Sequence, residues 1–303
     1  RRVLFRSQVS QLLVMDWKLN ETPATQAWFQ QVKEAFEAEH AGVEVEYVSA
    51  AFGDTYREKL LVGTAAGTAP DVASLSIIWA RELWDAGALL DLDPFIQKTP
   101  HLHPKQFIPA TQLYNQVDGS VYGITNAMDE ALLLYNRDFL EQSGLSTDPY
   151  AIQSWDDFRA ALKKLTVVDS SGAVQRYGLR MGMGAQEFTA WLTANGGSFY
   201  AKNLTRSGFN TKEGWEAGEF LAQLQLGGLL GGSFETRTAA MRYGLNATPY
   251  FLDRDAPDLN FQVTSFPQGP SGTQRGSTVW GNMYSISATS KNPGLAWEFI
   301  AYY

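Results

Sequence analysis

Two α/β lobes, each built on a doubly wound, mainly parallel sheet flanked by helices, are what this 303-residue sequence predicts. Three observations carry the expectation. Short apolar or alternating runs fit for strands take turns with amphipathic helical stretches, the grammar of βαβ units. The alternation continues through the second half with different capping, so it describes two bodies rather than a domain and a tail. The length suffices for two ordinary domains with real hydrophobic cores.

The elements follow in order. LLVM (12–15) is an apolar run suited to a buried strand. Trp28, Val32, Ala35 and Phe36 recur at helical spacing up to the Gly42 stop. VEVEYV (43–48) alternates as a strand with one buried face, and Tyr56, Leu60 and Leu61 mark a helix that Gly67 and Pro70 end. Asp71 to Ile77 is a β-rich stretch, followed by a helix over Arg81 to Asp85 that stops at Gly87. YGIT and ALLLY (131–135) read as strands, and Asn136 caps a short helix ended by Gly144. Ser154 with Asp157 three residues on is a capping box, and Trp155, Phe158, Leu162 and Leu165 form its core stripe. Asn210 with Glu213 reads as a second box, with Ala217, Phe220, Leu221 and Leu224 on one face and Gly227-Gly228 as the stop. FQVTSF (261–266) and MYSIS (283–287) are strands around the Gly- and Pro-rich loop PQGPSGTQRGS.

Composition removes several classes of function. A formal net charge of −8 argues against nucleic acid and other polyanions. No cysteine is present, which excludes disulfides, thiolate metal sites and cysteine nucleophiles. The three histidines do not suggest a zinc site, and His101 and His103, bracketed by prolines, read as loop residues. No cofactor or metal is therefore expected. The Walker phosphate loop and the Gly-x-Ser-x-Gly elbow are both missing, and MGMG (181–184) lacks the third glycine of a dinucleotide fingerprint. Asp129 and Glu130 are neighbours on a strand, point to opposite faces and make no acid/base pair. Asp156 and Asp157 have a structural reason at a helix N-terminus.

What remains suits binding. Trp17, Trp79, Tyr250 and Trp280 fall at strand-to-loop junctions, with Asn20, Glu21, Asn126, Asp129, Asn246 and Asn282 close by in sequence. In a doubly wound sheet ligands bind at the carboxyl ends of the strands. Flat rings beside short hydrogen-bonding groups match a sugar, with its apolar C–H faces and hydroxyl edges.

Eight stretches, in order, carry a family likeness. They are FGDTYREKLLVGTAAGTAPDVASL, WARELWDAGALLDLDPFI, VDGSVYGITNAMDEALLLYNRDFLEQSGL, SWDDFRAALKKLT, NGGSFY, TAAM, SFPQGPSG and GNMYSISATSKNPGLAWEFIAYY. Each is loose alone; their order and spacing together resemble the bacterial extracellular solute-binding proteins of sugar ABC transporters, the maltose-binding-protein-like group. The resemblance implies a two-lobed periplasmic-binding-protein fold, with lobe one over 1–125 and 266–303 and lobe two over 126–265. It implies crossover segments, a ligand cleft that closes by a hinge, and delivery to a membrane permease. It places a ligand-contacting carboxylate at Asp129 and Trp79 in a cleft-lining loop, and it points to Gln186, Trp191, Asn246, Tyr250, Trp280 and Asn282. It also implies a monomer working in the periplasm or outside the cell, on a lipid anchor in a Gram-positive bacterium.

Two rival readings stand beside the sugar receptor. One is the same fold binding another small solute, a polyol phosphate or a polyamine; the other is a carbohydrate-active enzyme. Only Asp129 and Glu21 are charged among the candidates, which favours a neutral ligand. The chain departs from the family at both ends, with no export signal or lipid-bearing cysteine, Arg1 to Arg6 of unclear origin, and a stop at AYY where relatives continue. The expectation is a shortened chain whose second lobe loses apolar cover.

Overall fold

The computed structural model describes residues 9–112, 115–201 and 206–303; the opening residues Arg1 to Arg6 lie outside the described range. The strands in chain order are β1 (Ser10–Met15), β2 (Val43–Val48), β3 (Val72–Ser76), β4 (Gln116–Val117), β5 (Ser120–Val121) and β6 (Ile124–Asn136). They continue with β7 (Val167–Val168), β8 (Val174–Arg180), β9 (Ala239–Leu245), β10 (Phe261–Thr264) and β11 (Val279–Ile286). The helices are α1 (Pro23–Glu39), α2 (Asp54–Ala66), α3 (Ile77–Asp85), α4 (Asp93–Ile96), α5 (Pro109–Gln112) and α6 (Arg137–Gln142). Then come α7 (Trp155–Leu165), α8 (Ala185–Ala194), α9 (Lys212–Leu226), α10 (Thr248–Asp255) and α11 (Pro293–Tyr302). The chain divides into two units, residues 1–128 with 280–303 and residues 129–279.

Unit 1 has a sheet in the order β2-β1-β3-β11. The first three strands run parallel and β11 runs antiparallel to β3. Period-two alternation loads both faces. Leu12, Val14, Val45, Val72, Tyr284 and Ile286 pack on one side with Phe36 of α1 and Phe299 of α11. Met15, Ala73, Leu75 and Met283 pack on the other with Tyr56 and Leu60 of α2 and Leu83 of α3. That two-sided burial is why β1 and β3, unlike the alternating β2, read as continuous runs without charge. The Tyr56 hydroxyl is shared between Met15 O (2.9 Å) and Ser74 O (2.8 Å), pinning α2 to the ends of β1 and β3. The Asp71 carboxylate accepts from Leu13 N–H (3.0 Å) and Ser290 Oγ (2.5 Å), tying the start of β3 to β1 and to the turn after β11.

Unit 2 has a mixed sheet. β8 and β9 are parallel, and β6 lies between β9 and β10, antiparallel to both. Its core is aromatic: Trp191 of α8 sits among Trp155 and Phe158 of α7, Phe220 of α9 and Phe266, with centroids 5.0–5.9 Å away. A second cluster joins Leu134, Phe234, Leu252 and Leu259.

Several sequence expectations shift. YGIT and ALLLY are not two strands: β6 runs unbroken from Ile124 to Asn136. Trp28 is 50% exposed and Phe29 is the buried ring at that turn of α1, because the apolar stripe is offset by one residue. Helix α9 is capped by Thr211, not Asn210, its side chain accepting from Gly214 N–H. The two divisions between units fall after residues 128 and 279, where the sequence expectation set them after 125 and 265. The first moves because β6 enters unit 2 without a break. The second moves because the loop after Phe266 belongs to unit 2: Trp155 Nε1 donates to Pro267 O (3.1 Å), and Ser271 N–H donates to Asn195 Oδ1 (2.8 Å).

Candidate functional site

In unit 1 the three parallel strands end at one edge of the sheet, and β11 begins there, Asn282 lying opposite Ser76. That edge collects whatever follows β1, β2 and β3 and whatever opens β11. After β1 comes the tight turn Trp17–Asn20, capped by Asp16. After β2 comes Phe52. After β3 the chain turns helical at once, so Trp79 stands in α3 rather than in a loop.

Four rings meet there. Trp17 packs edge-on against Phe52, Tyr56 and Trp79, at centroid distances of 5.2, 5.2 and 6.0 Å. Phe52 lies against Trp79 at 4.8 Å. Trp17 and Trp79 show 8% and 7% of their surface, whereas Phe52 shows 54%. The ring that meets solvent is therefore Phe52, backed by two enclosed tryptophans. Each such pair adds about 0.5–1.5 kcal/mol beyond its buried area, which holds the exposed ring in a fixed seat.

Short polar groups accompany these rings. The Asn282 amide, oriented so that both its atoms are satisfied, accepts from the Lys18 ammonium at 3.2 Å and donates to Gly281 O at 3.2 Å. Asn126 on β6 has a buried Oδ1 with no hydrogen-bond partner among the described residues. An acceptor left so costs about 1–3 kcal/mol. Asn20 is exposed and accepts from Gln26 Nε2 at 3.4 Å. Glu21 is exposed at the end of the turn, and Trp280 is half-buried at the start of β11.

In unit 2 the candidates are more dispersed. Asp129 is half-buried on β6. On β9, the Tyr243 hydroxyl is buried without a hydrogen-bond partner among the described residues. Burial pushes it well above the usual phenol value, and the Glu187 and Asp129 carboxylates add to the rise, so both act on one hydroxyl. Glu187 also accepts from Gly184 N–H at 3.0 Å, fixing the start of α8, where Gln186 is exposed. Asn246 is exposed and donates its backbone N–H to Glu130 O at 3.0 Å. Tyr250 is 68% exposed on α10, its ring 5.6 Å from Phe251. Trp191 is a correction. Expected at a ligand face, it is wholly enclosed at the centre of the aromatic core, its indole N–H directed at Met181 Sδ (3.3 Å).

Sequence reasoning missed Phe52, Lys18 and Tyr243. Phe52 obeys the rule that singled out Trp17, an aromatic just past a strand's carboxyl end, and that rule would have found it. Tyr243 gives no such signal, because only the register of β9 decides which way it faces.

The family model for bacterial extracellular solute-binding proteins matches residues 20–303. A protein of Brucella abortus (strain 2308) named as a binding protein is 25% identical over 296 residues, 91% of this chain and 68% of its own length. Among solved structures, the sugar-binding protein MalE from Xanthomonas citri superposes with a TM-score of 0.78 at 19% identity, covering 97% of this chain and 74% of that one. An ABC substrate-binding protein from Listeria monocytogenes, solved in complex with cycloalternan, gives 0.76 at 22% identity, with 97% and 74% coverage. At such identities the superpositions establish the fold. With the family match spanning nearly the whole sequence, the chain belongs to the bacterial extracellular solute-binding proteins.

Proposed function

We propose that this protein is a saccharide receptor that works outside the cytoplasmic membrane and hands its ligand to the permease of an ABC transporter. The observation that carries the reading is the carboxyl edge of unit 1. It sets an exposed ring, Phe52, in front of Trp17 and Trp79, with Lys18 next to Trp17 and bonded to Asn282. An aromatic platform with hydroxyl partners at its rim is the chemistry a neutral sugar ring needs. The cycloalternan held by the Listeria protein and the mannobiose held by another structural neighbour support the same class of ligand. Trp17, Asn20, Glu21, Trp79, Asn126, Trp280 and Asn282 are the ligand-side candidates of unit 1. Asp129, Gln186, Asn246 and Tyr250 are those of unit 2.

The test is a thermal-shift screen followed by calorimetry, with mannobiose, mannotriose, other oligosaccharides, glycerol phosphate, spermidine and amino acids as separate arms. A saccharide is expected to raise the melting temperature in a dose-dependent way and to be recovered intact. A response confined to the phosphate, amine or amino-acid arms would overturn the reading, as would steady release of cleaved sugar. Asp129→Ala tests the carboxylate: a charge-assisted hydrogen bond is worth about 1.5–3 kcal/mol. Affinity for the bound saccharide is expected to fall about ten- to a hundredfold with the melting temperature of the free protein held.

A further inference from the structure

Asp16, just past β1 at the head of the Trp17–Asn20 turn, has no exposed surface. Two donors reach its carboxylate. Lys18 N–H gives Oδ1 a bond of 2.8 Å, and the Tyr284 hydroxyl on β11 gives Oδ2 another of 2.8 Å. The groups facing it come from every neighbouring element: Lys18 on its own turn, Tyr47 from β2, Ser74 from β3, Tyr56 from α2 and Tyr284 from β11. Lys18 is the one cation among these. Tyr303, just past α11, packs edge-on against Tyr284 at 4.8 Å. A carboxyl group set this deep opposes its own ionisation, and an apolar side chain would fill the position without that penalty. The two bonds, however, join the two elements that furnish the candidate ligand face. The Trp17–Asn20 turn carries Trp17 and Lys18, and β11 carries Trp280 and Asn282.

We propose that Asp16 is a positioning residue: its carboxylate ties the Trp17–Asn20 turn to β11, and protonation loosens that turn together with the ring cluster seating Phe52. The inference deepens the saccharide reading and rests on it only for the ligand step. Ionised, Asp16 holds the Lys18 amide by a charge-assisted bond and attracts the Lys18 ammonium, which in turn meets Asn282. Neutral, it loses both attractions while the packing around it stays. Burial pushes its titration above the usual aspartate value, against the pull of Lys18 and Tyr284, so the loosening falls at a higher pH than for a free aspartate.

The experiment begins without ligand. Near-ultraviolet circular dichroism of the full chain, followed from neutral to acid pH below unfolding, is expected to show the tryptophan bands titrate in one step. In Asp16→Asn that step is expected to vanish. A wild-type step persisting in a folded Asp16→Asn protein would overturn the proposal. Should Asp16→Asn not fold, Tyr284→Phe serves: removing one donor is expected to move the midpoint to higher pH, and an unmoved midpoint overturns the proposal equally. Mannotriose then serves as the probe of the ligand step. Wild-type affinity is expected to fall about tenfold across the same step, and that of Asp16→Asn to be low and flat with pH. A chain that binds no mannotriose yet shows the dichroic step and its loss in Asp16→Asn leaves Asp16 in its role and removes the saccharide reading alone.

Discussion

Phe52 and Trp191 show how far residue type falls short of residue role. Both are large rings in an aromatic cluster, but one is 54% exposed and the other has no exposed surface. Trp191→Ala is expected to cost about 3–5 kcal/mol of stability, read by urea unfolding, because it empties the middle of the unit 2 core. Phe52→Ala is expected to change stability little and to weaken saccharide binding, and calorimetry separates the two effects. A tryptophan-rich sequence announces aromatic clusters, but the ring at the rim depends on which residue the turn after a strand pushes outward. Asp16 adds a pH dependence with a definite sign. Its folded value is raised by burial, and the neutral form gives up the local tie to Lys18 with Asp16 still enclosed. The fold as a whole is nonetheless favoured over the unfolded chain most below the ordinary carboxylate value of about 3.9, and that contribution is lost as pH rises through the folded value. Asp16→Asn is therefore expected to melt at or above the wild-type temperature at neutral pH and to lose that margin in acid, a comparison that scanning calorimetry settles.

Helix stops and starts were the most legible elements, because their chemistry is local. The Ser154–Asp157 box forms as expected, Asp157 N–H donating to Ser154 Oγ at 3.1 Å and Ser154 N–H to Asp157 Oδ2 at 3.1 Å. Asn136 caps α6 through Phe139 N–H at 3.0 Å. At α9 the cap moved by one residue, since Asn210 and Thr211 are both good caps and sequence does not rank neighbours. Strand ends were less legible: the start of β11 and the length of β6 depend on partners far away in the chain. The loop PQGPSGTQRGS is held in part by one buried side chain, Asn195, beside the bonds of Trp155 to Pro267 O and of Gln268 N–H to Gln153 O. Asn195 donates to Glu213 O (3.0 Å) and Glu216 Oε2 (2.8 Å) and accepts from Ser271 N–H. Asn195→Ala is expected to lose about 1–3 kcal/mol and to expose the loop to protease before the rest of unit 2. Cleavage no faster than in the wild type would show that Trp155 and Gln268 hold the loop without it.

At the scale of the whole chain, the α/β grammar and the two-body division were visible because strand and helix periods differ so clearly. The mixed direction of the unit 2 sheet was not, since periodicity reports which face is buried and not which way a neighbour runs. Nor could the sequence say which of its many rings share an edge; that follows from β1, β2 and β3 being parallel. A ligand bound only by the folded form stabilises it by about 2.7 kcal/mol at a hundredfold excess over Kd. The same Asp129→Ala protein that keeps its free melting temperature is thus expected to lose about half or more of the ligand-induced rise.

Unit 1 is assembled from two stretches far apart in the sequence, with β11 and α11 joining strands laid down some two hundred residues earlier. Unit 2 is one uninterrupted run. During synthesis, which proceeds from the N-terminus, the β3 edge therefore waits without its partner until β11 has emerged, while everything unit 2 needs is already made. Closing so long a loop is slow. In pulse-labelled hydrogen exchange during refolding, amides of β8 and β9 are expected to become protected before those of β3 and β11. The interval between them is the time in which the receptor holds an open strand edge and is most exposed to aggregation, or most available to a chaperone.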